Sequence, residues 1–126
     1  MKDIEVTFKK TFEDQDIKDL LCCAFEGGSN YWYHIQTAIN PDKIECEFRH
    51  LDLPMSENGY LIIKDIEDDD DYPELYKLNR QSIEKGLQIM ADKYPEHFHN
   101  FDIDNADAET GDVFLQCCLF GEIVFG

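Results

Sequence analysis

Residues 16–35 read DIKDLLCCAFEGGSNYWYHI, and they supply the largest single contribution of apolar side-chain area to the expected core. Apolar residues recur at i, i+3, i+4 and i+7, which is the spacing of one face of an α-helix: Ile17, Leu20, Leu21 and Ala24. Gly27 or Gly28 can take the positive φ that ends a helix at low cost. The stretch therefore predicts an amphipathic helix that packs into the core and ends at the double glycine.

The residues after the double glycine are predominantly aromatic. Ser29 or Asn30 can cap a second helical turn, which would carry Tyr31, Trp32, Tyr33 and Ile35. The sequence Asn40-Pro41-Asp42 then predicts a break in the chain.

The remaining patterns predict four strands, a further segment that is either a strand or merely extended, and two further helices. Ile4, Val6 and Phe8 alternate with polar residues and predict a half-buried strand over 3–9. Residues 43–53 favour a short edge strand or an extended segment, and 54–59 favour a loop. Residues 60–66 are typical of a strand, an acidic turn follows, and 74–78 can return as the second arm of a hairpin.

The second half of the chain carries clear helix start and stop residues. Asn79 is a good cap for a helix over 80–93, which Pro95 ends. Residues 96–112 predict a second acid-rich loop. Asp104 or Asp107 then caps a last helix, which Gly121 ends. Residues 122–125 can add a terminal strand. We therefore expect one α+β domain over 1–126, with three to four helices on one face of a small, mostly antiparallel sheet.

The charge of the chain disfavours nucleic acid and membrane surfaces as direct partners. The 28 acidic and 11 basic residues give a net charge of −17. Residues 1–50 carry 10 acids and 6 bases, whereas residues 51–126 carry 18 acids and 5 bases. Phosphate binding needs clustered Lys and Arg. A field of this sign attracts cationic surfaces, so a basic partner is favoured.

The five cysteines indicate a reducing environment. Their number is odd and no CxxC occurs, which fits neither a disulfide framework nor a zinc knuckle. No apolar run approaches the roughly 18 residues that a membrane span needs, and the first ten residues lack the apolar core of a signal peptide. A cytoplasmic location is expected.

Two acid-rich stretches, residues 65–74 and residues 96–112, lead to the main functional hypothesis. Their carboxylates could imitate the charge of a duplex, which carries about one charge per 1.7 Å of helix axis, and so bind the nucleic-acid cleft of another protein. The alternative is two solvated loops without a partner. The acidic residues of this hypothesis are Asp65, Glu67, Asp68, Asp69, Asp70, Asp71, Glu74, Asp102, Asp104, Asp107, Glu109 and Asp112.

The sequence also offers residues for three other kinds of site. His97, His99, Asp102 and Asp104 have metal-ligand chemistry, but a polar loop is favoured and the EF-hand spacing fails, so no metal is expected. No phosphate-binding or nucleophile motif occurs, and a non-enzymatic protein without a cofactor is expected. A small-ligand module, for instance one that sequesters a nucleotide signal, could use the segment 27–33, with its ligand contacts at Asn30, Tyr31, Trp32 and Tyr33. A core role is favoured for these aromatic residues.

Two motifs give the chain a resemblance. FEGGSNYW (residues 25–32) and LFGEIVFG (residues 119–126) resemble the A-L-E-G-G-I-N-Y-W and A-L-F-G-E-I-V-Y-G motifs of a family of small acidic proteins encoded in phages, prophages and other mobile elements. The motifs cover about 16 of the 126 residues. Phe25 and Ser29 replace Leu and Ile of the family pattern, and residues 37–58 differ.

The family has no assigned chemistry, so the resemblance implies a source and a fold rather than a reaction. A phage origin favours host-takeover or anti-defence roles. Combined with the charge, it leads us to expect an inhibitor that acts in the host cytoplasm on a basic nucleic-acid-binding or defence protein.

Overall fold

The structure, a computed structural model, describes residues 3–46 and 51–126. Five α-helices and a three-stranded antiparallel sheet are found in these ranges. The helices are α1 (Asp14–Cys23), α2 (Asp52–Met55), α3 (Arg80–Lys93), α4 (Pro95–Asp102) and α5 (Ala108–Phe120). The strands are β1 (Tyr33–Ile39), β2 (Tyr60–Asp65) and β3 (Tyr76–Leu78). The predicted α+β class is confirmed.

The helix that the opening stretch predicts is present as α1. It buries Ile17, Leu20 and Leu21, which are three of the four residues of the predicted face, and Ala24 is buried just beyond its end. The backbone N–H of Glu13 donates to the carboxylate of Asp16 at 3.2 Å, which satisfies a donor at the start of the helix.

The double glycine does not end the helix in the predicted way. Residues Ala24–Gly28 form a π-helical turn, closed by a hydrogen bond of 2.8 Å from the N–H of Ser29 to the carbonyl of Ala24. Among the described glycines, positive φ occurs at Gly121 and Gly126 but at neither Gly27 nor Gly28. Close approach of α5 explains Gly28, since an added Cβ would lie 1.9 Å from the carbonyl oxygen of Ala108.

The predicted second helical turn is wrong. Residues 29–32 make a tight turn in which the N–H groups of Trp32 and Tyr33 both donate to the carbonyl of Ser29, and β1 begins at Tyr33. Pairing with β2 stabilises the extended backbone, with Ile35 opposite Ile63. The break at Asn40 is confirmed, because β1 ends at Ile39.

The sheet has the order β1-β2-β3, and its hairpin β2–β3 agrees with the two strands predicted over 60–66 and 74–78. Leu61, Ile63 and Leu78 are fully buried beneath the helices. These three side chains form the sheet side of the core.

No strand forms over residues 43–46, and residues 47–50 of the predicted segment lie outside the described residues. The side chain of Asn40 both accepts from the N–H of Ile44 and donates to its carbonyl, which closes a loop instead. Residues 54–59 were predicted as a loop, but Pro54 and Met55 belong to the short helix α2.

The strands predicted over 3–9 and 122–125 are also wrong. Residues 3–9 run without pairing, and Ile4, Val6 and Phe8 are 92, 79 and 74% exposed. The backbone of Val124 and Phe125 bonds to the side chain of Gln116 rather than to a strand. Alternation predicts which face of a strand is apolar, but it cannot supply a neighbouring edge.

Helix α3 agrees with the predicted helix over 80–93, including the cap in which Asn79 accepts from the N–H of Ser82. Pro95 ends α3 as predicted, since this helix stops at Lys93, but the acid-rich loop predicted over 96–112 is wrong because Pro95 also begins α4. Asp107 is the residue that caps α5, and Gly121, with φ of 76°, ends it as predicted.

Candidate functional site

The β2–β3 hairpin carries a connection that we call the acidic loop, residues 65–74. The carboxylate of Asp68 organises it by accepting hydrogen bonds from the N–H groups of Asp70 and Glu74, at 3.3 and 3.1 Å. Asp65 accepts in the same way from the N–H of Glu67 at 3.0 Å. The ammonium of Lys64 donates to the carbonyl of Asp68 at 3.1 Å. Two acidic side chains are therefore used to shape the loop.

The other acidic side chains of the acidic loop are exposed to solvent. They are Glu67, Asp69, Asp70, Asp71 and Glu74. The ion pairs among the described residues involve Lys10, Lys18 and Arg80 and none of them reaches the loop. A shaped backbone thus presents five carboxylates that form none of these ion pairs, and the one ammonium bonded to the loop, that of Lys64, donates to a backbone carbonyl.

The negative charge of the acidic loop affects the pKa of Tyr76, the first residue of β3. Burial raises the pKa of Tyr76, and the hydrogen bond to Glu74 and the charges of Asp68 and Asp65 raise it further. The site is therefore one where a further negative charge is disfavoured and a positive one is attracted.

The second acid-rich stretch does not form the surface that the sequence predicts. Asp102 forms an ion pair with Lys10, and Asp107 caps α5 by accepting from the N–H of Thr110 at 2.9 Å. The hydrogen bonds from Thr110 lower the pKa of Asp107. Asp104 and Glu109 are exposed.

Asp112 corrects the prediction most clearly, because it is a core residue and not a surface carboxylate. It lies in α5 and is 8% exposed. One carboxylate oxygen accepts from Ser29 Oγ at 2.8 Å and from Trp32 Nε1 at 2.7 Å, and the other accepts from Tyr31 Oη at 2.7 Å. The carboxylate therefore fixes the whole 29–32 turn on α5.

The two motifs of the resemblance pack against each other in the structure. Trp32 stacks on Phe125 with ring centroids 5.2 Å apart and also contacts Phe120 at 5.2 Å. Gln116 Oε1 accepts from the N–H groups of Val124 and Phe125, at 2.7 and 2.8 Å. The residues of the two motifs therefore share one structural role, which is to close this side of the core.

The rings that the small-ligand hypothesis needs for stacking are buried. Trp32 is 2% exposed, and Tyr33 is buried with its ring stacked on Phe25 at 4.9 Å. Asn30 and Tyr31 are exposed. Neither buried ring offers a free face to a nucleobase, in line with the favoured core role.

The metal hypothesis depended on an extended backbone, in which alternate residues share a side. His97 and His99 instead lie in α4, where residues two apart point in opposing directions. No group of three or more His, Cys, Asp or Glu side chains within residues 3–46 and 51–126 could hold a metal ion.

The cysteines are poor nucleophiles in this structure. Burial raises the pKa of all five thiols, to about 11 for Cys117 and well above its usual range for Cys118. A thiol that stays protonated at neutral pH contributes apolar packing rather than reactivity.

We expect the fold to lose stability in alkali because of these thiols. The pKa of Cys117 is about 11 in the folded chain and about 9 in the unfolded chain, so its contribution is present below pH 9 and is lost between pH 9 and 11. The loss from this residue alone is about 2–3 kcal/mol. Urea unfolding between pH 8 and 11 measures it, and Cys117→Ala should show a flatter pH dependence over that window. An identical slope in both proteins would contradict the assignment.

Sequence reasoning missed the buried polar residues Ser29, Asp112 and Gln116. Gln116 gave a signal, since it interrupts the apolar run VFLQCC of the last helix. A polar side chain in such a position needs buried partners. The partners of Gln116 are the backbone groups of Val124 and Phe125. These residues were predicted to form a strand, and so their bonds to Gln116 were not predicted.

No protein-family model, curated protein or solved structure that we compared with this chain matches it. Among the described residues, no helix combines the length and the apolar character needed to cross a bilayer. The functional conclusion therefore depends on the geometry and charge of the chain itself.

Proposed function

We propose that the protein inhibits a nucleic-acid-binding or defence protein of a bacterial host by placing the acidic loop against its basic surface. The observation that carries the proposal is that the acidic side chains of the loop have two different roles. Asp65 and Asp68 hold the backbone, while Glu67, Asp69, Asp70, Asp71 and Glu74 stay exposed and without ion pairs. A shaped loop loses less entropy on binding than a mobile acidic segment.

The acidic loop supports the proposal better than the second acidic stretch. In that stretch Asp102 is neutralised by Lys10, Asp107 is used as a cap and Asp112 is buried. We therefore assign the contact to residues 65–74, with Asp104 and Glu109 as peripheral charges.

The spacing of the charges is compatible with imitation of a nucleic-acid strand. A fully extended chain advances by at most about 3.6 Å per residue. Consecutive phosphates along one strand of a duplex rise by about 3.4 Å. Four exposed carboxylates lie within residues 67–71, so this run can present a short row of negative charge to a cleft lined with Lys and Arg.

The proposal is tested with two variants of equal charge. Asp69→Asn, Asp70→Asn and Asp71→Asn together remove three negative charges from the loop, and Glu45→Gln, Glu57→Gln and Glu122→Gln together remove the same charge from exposed positions elsewhere. We expect the wild-type protein to retain a basic nucleic-acid-binding protein from a bacterial lysate at low ionic strength. Affinity for that protein should fall at least tenfold in the loop variant and less than threefold in the control.

Competition distinguishes mimicry from general acidic attraction. The recovered protein should release duplex DNA when the wild-type chain is added, and the interaction should weaken steeply between 50 and 300 mM salt. Equal losses in both variants would show that net charge alone is responsible. Recovery of no nucleic-acid-binding protein would reject the proposal.

A further inference from the structure

A groove of about 730 Å³ follows one face of α3. The α3 residues that line it are spaced at i, i+3, i+4, i+7, i+8, i+11 and i+12: Arg80, Ile83, Glu84, Leu87, Gln88, Ala91 and Asp92. This spacing covers about three turns of one helical face, which corresponds to a length of about 18 Å. The groove therefore runs along nearly the whole of α3.

The floor of the groove is apolar and combines residues of three helices. Its apolar residues come from α3, α1 and α4: Ile83, Leu87, Ala91, Ile17 and Phe98. The segment before α1 also lines the groove, and its side chains Val6 and Phe8 are 79 and 74% exposed. Apolar surface gathered in one groove is more than the scattered exposure that is normal for a protein.

The cationic side chains that line the groove are Lys10 and Arg80, and both are already paired within the chain. Lys10 forms an ion pair with Asp102. The guanidinium of Arg80 lies 3.0 Å from the carboxylate of Asp14 and donates to the carbonyl of Met55 at 2.8 Å. An acidic partner would therefore find no unpaired cation in this groove.

The acidic side chains on the α3 side of the groove are less fully matched. Glu84 lies 4.0 Å from the guanidinium that already pairs with Asp14, and its side chain is 73% exposed. Asp92 is exposed, accepts from Gln88 Nε2 at 3.0 Å and forms none of the ion pairs found within residues 3–46 and 51–126. The charge of the groove therefore favours a partner that brings positive charge together with an apolar surface.

The geometry of α3 favours a helix as the binding element of that partner. Two neighbouring lines run along the groove, an apolar one of Ile83, Leu87 and Ala91 and a polar one of Glu84, Gln88 and Asp92. Successive members of each line are about 6 Å apart, which is four residues of a helix. A partner helix can carry an apolar line beside a basic line at the same spacing. An extended chain cannot, because its alternate side chains point to opposite sides.

We propose that the groove binds a basic amphipathic helix of a partner protein. The apolar face of that helix packs on the floor, and its Lys or Arg side chains reach Glu84 and Asp92. This inference does not depend on the proposed function, because none of the residues 65–74 of the acidic loop lines the groove.

A labelled peptide of leucine and lysine is the probe, with about 14 residues and with its leucines on one helical face. One control peptide has the same composition with the leucines distributed around the helix, and the other has glutamate in place of lysine. At about 150 mM salt, which screens general attraction, we expect a micromolar Kd for the probe and at least tenfold weaker binding of either control. Because so short a peptide is at most marginally helical in water, its helical circular dichroism signal should rise on binding.

Two variants of the protein locate the contact. Ala91→Trp fills the groove from a half-buried position, and Glu84→Lys with Asp92→Lys reverses the charge at two exposed positions of its rim. Each variant should bind the probe at least tenfold more weakly. Glu57→Lys with Glu122→Lys makes the same charge change at exposed positions outside the groove and should alter the affinity less than threefold. Thermal melts confirm that the variants fold.

Three results would overturn the proposal: no binding of the probe, equal binding of the peptide with distributed leucines, or binding without a gain of helix signal. Asp69→Asn, Asp70→Asn and Asp71→Asn together should leave probe binding unchanged. A loss in that variant as large as in the groove variants would assign the contact to the acidic loop and would also overturn the proposal. Failure to recover a nucleic-acid-binding protein through the acidic loop would not alter these results, so the two proposals fail separately.

Discussion

Replacing Asp112 with alanine should lower the free energy of unfolding by about 4 kcal/mol. The substitution leaves Ser29 Oγ and Trp32 Nε1 buried without an acceptor, and each such group costs about 1–3 kcal/mol. Tyr31 Oη also loses its partner, but this side chain is half exposed and can turn to water. Urea unfolding at pH 7 measures the change.

Two further substitutions distinguish the hydrogen-bond network from the charge. Asp112→Asn keeps one oxygen that can accept from Ser29 and Trp32, so we expect a loss of about half as much. Glu109→Ala removes an exposed carboxylate one turn earlier in α5 and should cost well under 1 kcal/mol. If Asp112→Ala were no more costly than Glu109→Ala, the buried network would not contribute to stability.

Gly28→Ala should destabilise the fold by about 3 kcal/mol, although alanine is the better helix former by about 1 kcal/mol. An added Cβ would lie 1.9 Å from the carbonyl oxygen of Ala108 and 2.8 Å from its carbonyl carbon. Both are backbone atoms, so no side chain can rotate away and α5 itself has to shift. A fall in the denaturation midpoint with an unchanged denaturant dependence is the expected measurement.

The neighbouring glycine provides the matched control. A Cβ at Gly27 would meet Ala108 Cβ at 3.9 Å, which is ordinary van der Waals contact, and its φ is not positive. Gly27→Ala should therefore be neutral or slightly stabilising. Similar losses at both glycines would mean that backbone freedom, and not the close approach of α5, explains the double glycine.

Local signals in the sequence were sufficient where a structural element depends on its own residues. Helix α3 was predicted correctly, because Asn79 supplies the cap and the apolar period continues to Lys93. The strands β2 and β3 were also predicted, because β2 is rich in β-branched residues and the acidic turn after it, which has to be solvated, allows 74–78 to return as a hairpin arm. Gly121 ended the last helix as expected.

Errors arose where the structure depends on residues that are distant in sequence. The π-helical turn at Ala24–Gly28 packs on α5, and nothing near the double glycine predicts that contact. Pro95 was correctly predicted to end α3, but the helix that starts at the same residue was missed, although proline is suited to a first helical position. The aromatic residues Phe98 and Phe101 of that helix find their partner at Phe12, more than eighty residues earlier.

The candidate site was predicted in part for the same reason. A run of acidic residues cannot be buried without paired charges, so residues 67–71 could be assigned to a surface without a structure. Composition could not show which carboxylates form hydrogen bonds within the fold and which remain free on the surface. Asp68 shapes a loop, Asp107 caps a helix and Asp112 anchors a distant turn, although all three look alike in the sequence.

The bond between Ser29 and Asp112 spans 83 residues, and it has a consequence for synthesis of the chain. Translation at about 5–20 residues per second separates the two groups by roughly 4–17 s. During that interval the apolar face of α1 has left the ribosome without the helix that covers it. This side of the core can therefore close only after α5 has been made, and folding is completed late rather than segment by segment.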